Sequence, residues 1–414
     1  MKQNTSPGSW LSQSIEAVSQ FHLGRTSYRG LFTSSIVSAA LVLALSFAVP
    51  NVVAQVTILH SFGDGTVPND GWQPTDGLTQ TPDGNFYGVT LSAPIGNPAS
   101  NIFRITPSGT LSVIQNVGHP DSKYAPFFYD NELINTYTGR YKKQPGVLFS
   151  LTGYPNGPWR LHTWHLFSGE PSDASGEIGH LILGADKNLY GVSADGGSVN
   201  QGTIYKVDPK SHQVTIVYSF PSSNPAVGPR TGLLLAADGN FYGGGFGLYP
   251  NPGEVYKMTP NGNVTTFYQF TGSRYPSSRL IQGSDGSFYG AAGGLSRGGS
   301  LVYKLSTGGV LKVLHQFIPG KKQFGIDTAG VVQGPNGNLY GLTNTDGTAG
   351  KGTVYEVSTD GSIFVVLHNF GDGSVPNDGA YPDGTLTVGA DGNLYGVTTR
   401  GGSAGNGIVF KISP

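Results

Sequence analysis

A short phrase recurs along this chain: an apolar stretch, an Asp-Gly type of turn, and then an aromatic-Tyr-Gly stretch. The clear copies are GLTQTPDGNFYG at Gly77–Gly88, HLILGADKNLYG at His180–Gly191, GLLLAADGNFYG at Gly232–Gly243, RLIQGSDGSFYG at Arg279–Gly290, GVVQGPNGNLYG at Gly330–Gly341 and TLTVGADGNLYG at Thr385–Gly396. An eroded copy is YAPFFYDNELIN at Tyr124–Asn135. The copies are roughly 50 residues apart, a period typical of propellers and solenoids rather than of independent domains.

Each repeat divides into four strand-like stretches, which we name A to D in chain order. Strand A precedes the turn, as in Leu233–Ala237, and strand B follows it, as in Asn188–Val192. Strand D alternates and is rich in aromatic residues, as in TIVYSF. Copies of strand C are predicted at Asn101–Ile105, Thr203–Val207, Glu254–Met258, Leu301–Leu305, Thr353–Val357 and Ile408–Ile412. The 64 glycines, 21 tyrosines and 21 phenylalanines suit an all-β chain. Four strands in meander order predict a propeller blade.

The two ends of the repeat region predict how the ring closes. The last repeat contains strands A, B and C up to Pro414, whereas Gln55–Phe62 is a lone strand D. We therefore expect the N-terminal strand to complete the last blade, which closes the ring and leaves no long free edge. In the second and weakest repeat, Gly146–Leu151 is strand C and Leu161–Phe167 is strand D. The prediction is an all-β, seven-bladed β-propeller with four-stranded blades, formed as a single domain by residues 55–414.

Residues 1–54 have the pattern of an export signal. Arg25 and Arg29 precede the apolar run Ile36–Val49, and the small residues Val52 and Ala54 suit cleavage after Ala54. An uncleaved membrane anchor is the alternative. We expect an exported protein that is periplasmic, on the cell surface or extracellular, with a membrane contact only through this segment if it is uncleaved.

Composition narrows the possible functions. The chain has no cysteine, which excludes disulfides, thiolate metal sites and a cysteine nucleophile. Its net charge is −1 and only 12% of residues are charged, so the sequence offers no global basic field for nucleic acid. We expect no nucleic-acid partner and a monomeric protein.

The repeats resemble the GloVer-type tandem repeats of exported bacterial proteins. The DGNLYG turn and strand, the GTVYEV and GTIYKV strands, and LHSFGDG followed by VPNDG carry the resemblance, which covers essentially all of Gln55–Pro414. It implies a propeller-like exported protein, often with a surface-sorting or anchoring device, and it brings no established activity. The strand order is also similar to that of NHL-type, lactonase-like and streptogramin-lyase-like propellers, which is a likeness of fold and not of function.

This strand order places different connections on the two faces of the ring. The A-to-B and C-to-D turns share one face, and their short, uniform sequences indicate folding devices. The D-to-A and B-to-C loops share the other face, around the mouth of the central channel, and they are long and varied. Because binding residues concentrate on such loops, we expect a ligand or partner on this loop face.

The first residue of each copy, which we call the inner position, should face the ring axis. Its occupants are Gly77, Tyr124, His180, Gly232, Arg279, Gly330 and Thr385. Glycine is the default, and Tyr124, His180 and Arg279 depart from it with large polar side chains. Together they could abstract a proton alpha to a carboxylate and neutralise the resulting charge, so they are the predicted catalytic set. The alternatives are that they bind a ligand or simply fill the channel.

Basic and aromatic residues in the varied loops form the predicted ligand-binding set. Its members are His119, Lys123, Arg140, Tyr141, Lys142, Lys143, Arg230 and Arg274. Arginine and lysine interleaved with tyrosine suit anionic or hydroxyl-rich ligands such as uronate-containing glycans. The alternative is a solvated rim of mixed charge, because the same loops also carry many aspartates.

Two nearly identical loops, GDGTVPNDG and GDGSVPNDG, raise the question of a metal. They contain Asp64 and Asp70 in the first loop and Asp372 and Asp378 in the second. Such carboxylates could hold Ca²⁺, but their spacing differs from that of known calcium loops, and Asx turns account for Asp and Asn beside Gly. We therefore expect no cofactor, with calcium at these four residues as the alternative.

The leading functional hypothesis is an exported propeller that acts as a binding or scaffold protein, with an anionic glycan or a surface protein as its partner. One alternative is a carbohydrate-active enzyme, most plausibly a polysaccharide lyase on acidic glycans. A second alternative is a metal-assisted lyase or hydrolase of small molecules. The sequence leaves open whether the chain is an enzyme.

Overall fold

Antiparallel strands form the regular structure of this protein. The computed structural model describes residues 56–91, 100–117, 124–137, 146–169, 171–222, 227–247, 251–294, 299–318 and 328–414. Within these ranges it contains thirty strands and no helix, so nothing there could cross a membrane as a helix. All of these residues belong to one compact unit, Val53–Pro414.

Each repeat forms an antiparallel meander in which successive strands pair. After β1 (Val56–Ser61), the first repeat contains β2 (Trp72–Gln80), β3 (Phe86–Leu91), β4 (Asn101–Ile105) and β5 (Leu111–Asn116). The second contains β6 (Phe127–Tyr129), β7 (Glu132–Tyr137), β8 (Gly146–Thr152) and β9 (Arg160–Phe167). The third contains β10 (Ala174–Leu183), β11 (Leu189–Gly196), β12 (Thr203–Val207) and β13 (Val214–Ser219).

In the next two repeats the inner strand is split into two short pieces. The fourth repeat contains β14 (Val227–Pro229), β15 (Leu234–Leu235), β16 (Phe241–Gly247), β17 (Glu254–Met258) and β18 (Val264–Gln269). The fifth contains β19 (Arg274–Pro276), β20 (Ile281–Gln282), β21 (Phe288–Gly294), β22 (Leu301–Leu305) and β23 (Leu311–Gln316).

The last two repeats again have continuous inner strands. The sixth contains β24 (Thr328–Gln333), β25 (Leu339–Thr343), β26 (Thr353–Val357) and β27 (Phe364–Asn369). The last contains β28 (Ala380–Val388), β29 (Leu394–Arg400) and β30 (Ile408–Ile412). The strand β1 pairs antiparallel with β30, and β2 meets β28 in a parallel contact at Gly77 and Thr385. The first and last repeats are therefore in direct contact.

The outer strands follow the sequence closely, whereas the inner strands do not. All six predicted copies of strand C coincide with β4, β12, β17, β22, β26 and β30, and β8 and β9 confirm strands C and D of the weakest repeat. The predicted strand Leu233–Ala237 is shortened to β15, because strand pairing breaks at the inner position. A strand that is interrupted in this way forms fewer hydrogen bonds with its neighbour, and its side chains point in new directions.

Aromatic residues of strands B and C fill the space between neighbouring sheets. Phe86 of the first repeat stacks on Tyr395 of the last, with ring centroids 4.0 Å apart. The glycine of each aromatic-Tyr-Gly stretch lies beneath a ring of strand C: a Cβ at Gly243 would collide with the hydroxyl of Tyr256. The recurrent glycine is therefore a packing requirement of this core.

A glutamine on the inner strand bridges some neighbouring repeats. Gln80 donates from Nε2 to the carbonyl of Gly84 (3.1 Å) and accepts at Oε1 from the N–H of Ala390 in the last repeat (2.8 Å). Gln282 makes the same pair of bonds with Gly286 (2.9 Å) and with Ala237 of the preceding repeat (2.8 Å). The first repeat thus contacts the last in the way that the fifth contacts the fourth.

Candidate functional site

Breaks in strand pairing turn the inner position away from the sheets. Pairing shifts between Thr75 and Thr79 in β2 and between Asp383 and Thr387 in β28. The same shift occurs around His180 in β10, and Arg279 lies in the gap between β19 and β20. Bulges of this kind are a common way to aim side chains at a site.

Six of the seven inner positions, all except Gly77, line one cavity of about 470 Å³, which we call the polar cavity. Its lining includes Asp76, Tyr124, His180, Arg230, Arg279 and Thr385. The structure therefore brings together the three side chains that the sequence singled out for catalysis. Their catalytic role remains a prediction, since their convergence does not by itself show a reaction. The remaining lining comes mostly from the inner strands around these positions, such as Tyr275, Ser278 and Pro382, together with Asn344 from the loop after β25. A ligand site on the loop face remains a prediction.

His180 is held by a carboxylate from another repeat. Its Nε2 lies 2.8 Å from Oδ2 of Asp76, and both side chains are partly exposed to the cavity. Asp76 also accepts the backbone N–H of Ala125 at 3.0 Å, which fixes the carboxylate. The ring of Tyr124 meets that of His180 edge to face, with centroids 5.8 Å apart. With Nε2 donating to Asp76, Nδ1 of a neutral His180 is the nitrogen left to accept a proton.

Arg279 presents a cation at this cavity. No residue in the described ranges forms a hydrogen bond or an ion pair with its guanidinium. Desolvation by the surrounding sheets lowers the pKa of Arg279 from its ordinary value, and the Asp76 carboxylate opposes this shift. The side chain is nevertheless accessible to solvent, and it lines the polar cavity. An arginine keeps its charge in such surroundings, so its donors are available to an anion.

The predicted ligand-binding residues divide into three groups. Arg230 lines the polar cavity, with its guanidinium 5.7 Å from the ring centroid of Phe246. Arg274 begins β19 and is absent from the lining of this cavity. The other members of the set lie outside the described residues, namely His119, Lys123, Arg140, Tyr141, Lys142 and Lys143.

Asp76 is a residue of the candidate site that the sequence reasoning did not single out. It was grouped there, without being named, with the many other aspartates of the loops. The residue before the inner position is small in most other repeats, such as Thr231, Ser278 and Gly384. Asp76 breaks that second pattern, so comparing the repeats one residue earlier would have identified it. The backbone of Asp76 has a positive φ of 66°. It lies so close to Gly384 that a Cβ atom added to Gly384 would collide with the Asp76 backbone.

The aspartates considered for calcium are engaged in the protein's own contacts. Asp70 lies 2.8 Å from Nε2 of His60 and accepts the N–H of Gly63, and Asp378 repeats both contacts with His368 and Gly371. Asp64 and Asp372 each accept a backbone N–H two residues later, at 2.9 and 2.8 Å. Across the described ranges, no three His, Asp or Glu side chains are grouped as metal ligands. Calcium at these loops remains an untested alternative.

Solved structures similar to this chain share its β-propeller-like fold at low sequence identity. The GH74 xyloglucanase from Xanthomonas campestris has a TM-score of 0.57 at 15% identity, over 86% of this chain and 53% of the xyloglucanase chain, so this chain spans about half of it. YCF48 from Cyanidioschyzon merolae has a TM-score of 0.53 at 13% identity, over 87% and 99% of the two chains. An oligogalacturonate lyase in complex with manganese has a TM-score of 0.52 at 9% identity, over 87% and 93%. These likenesses establish the fold alone.

Sequence comparison identifies the repeat itself. No curated protein matches the chain. The family model described as the Gloeobacter/Verrucomicrobia repeat matches twice, at residues 129–299 and 275–414, which together cover more than half of the sequence. These matches confirm the resemblance to the GloVer-type repeats. The chain belongs to the Gloeobacter/Verrucomicrobia repeat family.

Proposed function

We propose that this protein binds an anionic, hydroxyl-bearing ligand, such as the end of a uronate-containing glycan, in the polar cavity. The observation that carries this proposal is the guanidinium of Arg279, which has no hydrogen-bond or ion-pair partner in the described ranges and lines a cavity large enough for a sugar. Arg230 adds a second cation at the same cavity. Asp76, Tyr124 and Asn344 supply hydrogen-bonding groups for hydroxyls.

Titration calorimetry with oligogalacturonate tests this proposal. Replacing Arg279 with Gln removes the charge-assisted bonds to the carboxylate, and we expect a loss of about 2 kcal/mol, or a roughly 30-fold higher Kd. Arg160→Gln is the matched control, because Arg160 lies at the exposed start of β9 and lines neither large cavity. Equal affinities of the wild type and Arg279→Gln, or binding of the neutral glycan alone, would refute the proposal.

A lyase acting on the same ligands is a second candidate, favoured by the pairing of His180 with Asp76. In this reaction His180 would accept the proton alpha to the substrate carboxylate while Arg279 neutralises the developing charge. Tyr124, beside His180, would protonate the leaving oxygen. His180→Ala should then abolish the ultraviolet absorbance of the unsaturated product while leaving glycan binding within a few-fold of the wild type. If the wild type forms no such product from acidic glycans, the lyase reaction is excluded and the binding proposal is unaffected.

We also propose that the repeats form a closed ring of seven blades, with β1 completing the last one. The pairing of β1 with β30, the contact between β2 and β28, and the Gln80 bridge to Ala390 support closure. Such a ring needs no partner to cover a sheet edge, so we propose a monomer, which sedimentation equilibrium can test.

Export is proposed from the sequence of residues 1–54, which lie outside the described residues. A protein carrying its ligand site on a secreted propeller would meet glycans or surface proteins outside the cytoplasm. N-terminal sequencing of the protein recovered from fractionated cells should begin at Gln55. Recovery of the intact N-terminus in the membrane fraction would indicate the uncleaved anchor instead.

A further inference from the structure

A second cavity of about 340 Å³ lies against the polar cavity, on the side of the A-to-B turns. We call it the apolar cavity. Its lining is dominated by aliphatic and aromatic residues such as Leu78, Phe127, Ile182, Ile281 and Val332. It shares Asp76, His180, Arg279 and Thr385 with the polar cavity. These four residues therefore form the boundary between two spaces of opposite character.

The repeat explains why the second space is apolar. Residues two positions after the inner position return to the same side of the strand, and they are Thr79, Pro126, Ile182, Leu234, Ile281, Val332 and Thr387 in the seven repeats. Six of these seven line the apolar cavity. The residues between, such as Leu78 and Leu181, are buried and aliphatic, and several of them also line this cavity. The mostly aliphatic residues that follow the inner positions along strand A thus form an apolar layer beneath the polar one.

A cavity with such a lining favours hydrocarbon over water. Water entering an apolar cavity needs two to four polar partners, and an aliphatic wall offers none. Engineered apolar cavities of about 150 Å³ take up small hydrophobic ligands, and this one is larger. Its charged groups, Arg279 and the Asp76–His180 pair, lie at its boundary with the polar cavity. Thr79 and Thr387 are the polar residues of its own wall, and the Thr387 hydroxyl already donates to the carbonyl of Leu78. A ligand that uses both spaces must be charged at one end and aliphatic at the other.

We propose that the ligand of this protein is an anionic amphiphile, whose acidic, hydroxylated head binds Arg279 in the polar cavity and whose aliphatic chain occupies the apolar cavity. This inference rests on the proposed anion site for the head. Beyond the anionic head, it specifies that the rest of the ligand is an aliphatic chain. Arg279 flanks both spaces, so it binds the head at the point where the chain begins.

Three alkyl glycosides separate the contributions of head and chain: octyl glucuronide, methyl glucuronide and octyl glucoside. Used below their micelle concentrations with the whole protein in calorimetry, the first should bind much more tightly than the other two. In a methyl, butyl and octyl glucuronide series, each added methylene should raise affinity by about fourfold until the cavity is filled. Equal affinity across this series would overturn the proposal.

Two variants make the result specific to these cavities. Ile281→Asn places an amide in the apolar cavity and should weaken octyl glucuronide at least tenfold while leaving methyl glucuronide unchanged. Arg279→Gln should weaken both glucuronides and leave octyl glucoside unchanged. A chain-length effect that survives Ile281→Asn together with Val332→Asn, in protein that keeps its melting temperature, would place the alkyl chain elsewhere and refute the inference.

The same experiments distinguish the two proposals. If methyl glucuronide binds through Arg279 but longer chains add nothing, the anion site stands and the amphiphile inference fails. If neither glucuronide binds, the proposed function itself fails. If octyl glucoside binds as tightly as octyl glucuronide, the apolar cavity is a hydrocarbon site without an anion site, which contradicts both proposals.

Discussion

Replacing Tyr256 with Phe should stabilise this protein, although the side chain is completely buried. The hydroxyl of Tyr256 has no hydrogen-bond partner among the described residues, and Tyr303 and Tyr355 repeat this arrangement. Burial raises the pKa of Tyr256 above its ordinary value, with the Glu254 carboxylate adding to the shift. Other repeats already use phenylalanine at the equivalent position of strand C, as at Phe103.

The magnitude follows from the cost of an unpaired polar group. An unsatisfied buried hydroxyl lowers the free energy of unfolding by about 1–3 kcal/mol. Removing it restores that free energy, except for the van der Waals contacts that the oxygen atom made. We expect Tyr256→Phe to raise the free energy of unfolding by about 1 kcal/mol. Tyr242, on the neighbouring strand β16, is the matched opposite, because its hydroxyl donates to Asp238 at 2.9 Å. Tyr242→Phe should lower the free energy of unfolding by about 1.5 kcal/mol.

Urea unfolding followed by circular dichroism measures both variants against the wild type. The slope of the free energy with urea should be unchanged, so that the shift in midpoint reports stability. The two variants remove the same atom from neighbouring strands of one sheet and should shift the midpoint in opposite directions. Shifts in the same direction would refute the inference that hydrogen bonding of the hydroxyl decides the sign.

Three further predictions concern closure and pH. Gln80→Ala should lower the free energy of unfolding by about 1–2 kcal/mol, and Gln282→Ala should do the same, because each loses two hydrogen bonds. If Gln282→Ala lowers the free energy of unfolding and Gln80→Ala does not, the contact between the first and last repeats is contradicted. Gly384→Ala should destabilise strongly in thermal unfolding, because the new methyl group collides with the backbone of the first repeat and φ there is 71°. Desolvation at Asp238 and Asp285 is outweighed by hydrogen bonds that lower the pKa of each to about 2. Their stabilisation is therefore complete above about pH 4 and is lost as the pH falls towards 2, so Asn variants should lose less stability over that window in urea titrations.

Much of the fold could be predicted because the repeat supplies its own alignment. Strand C, as at Thr203–Val207, was located to the residue, since its alternation and its flanking turns recur in every copy. The inner strands were less predictable. Their pairing breaks at the inner position, as at Arg279, where strands of several repeats crowd together, and no local pattern encodes that crowding.

The candidate site was also predictable only in part. Departures from glycine at the inner position identified Tyr124, His180 and Arg279, and the structure places all three around one cavity. The partner of His180 was not identified, because Asp76 belongs to another repeat and the contact depends on a bulge in β2. The apolar cavity was not predicted either. Aliphatic residues on strand A are expected to pack in the core, and the sequence does not show that the irregular strand pairing exposes some of them to a cavity.

We propose that this protein binds its ligand where the repeat departs from its own pattern. The most direct measurement is the affinity of oligogalacturonate for Arg279→Gly, which restores the default residue of the inner position. We predict a roughly 30-fold higher Kd than for the wild type, with Arg160→Gln unchanged. Wild-type affinity in Arg279→Gly, or no binding by the wild type itself, would refute this proposal.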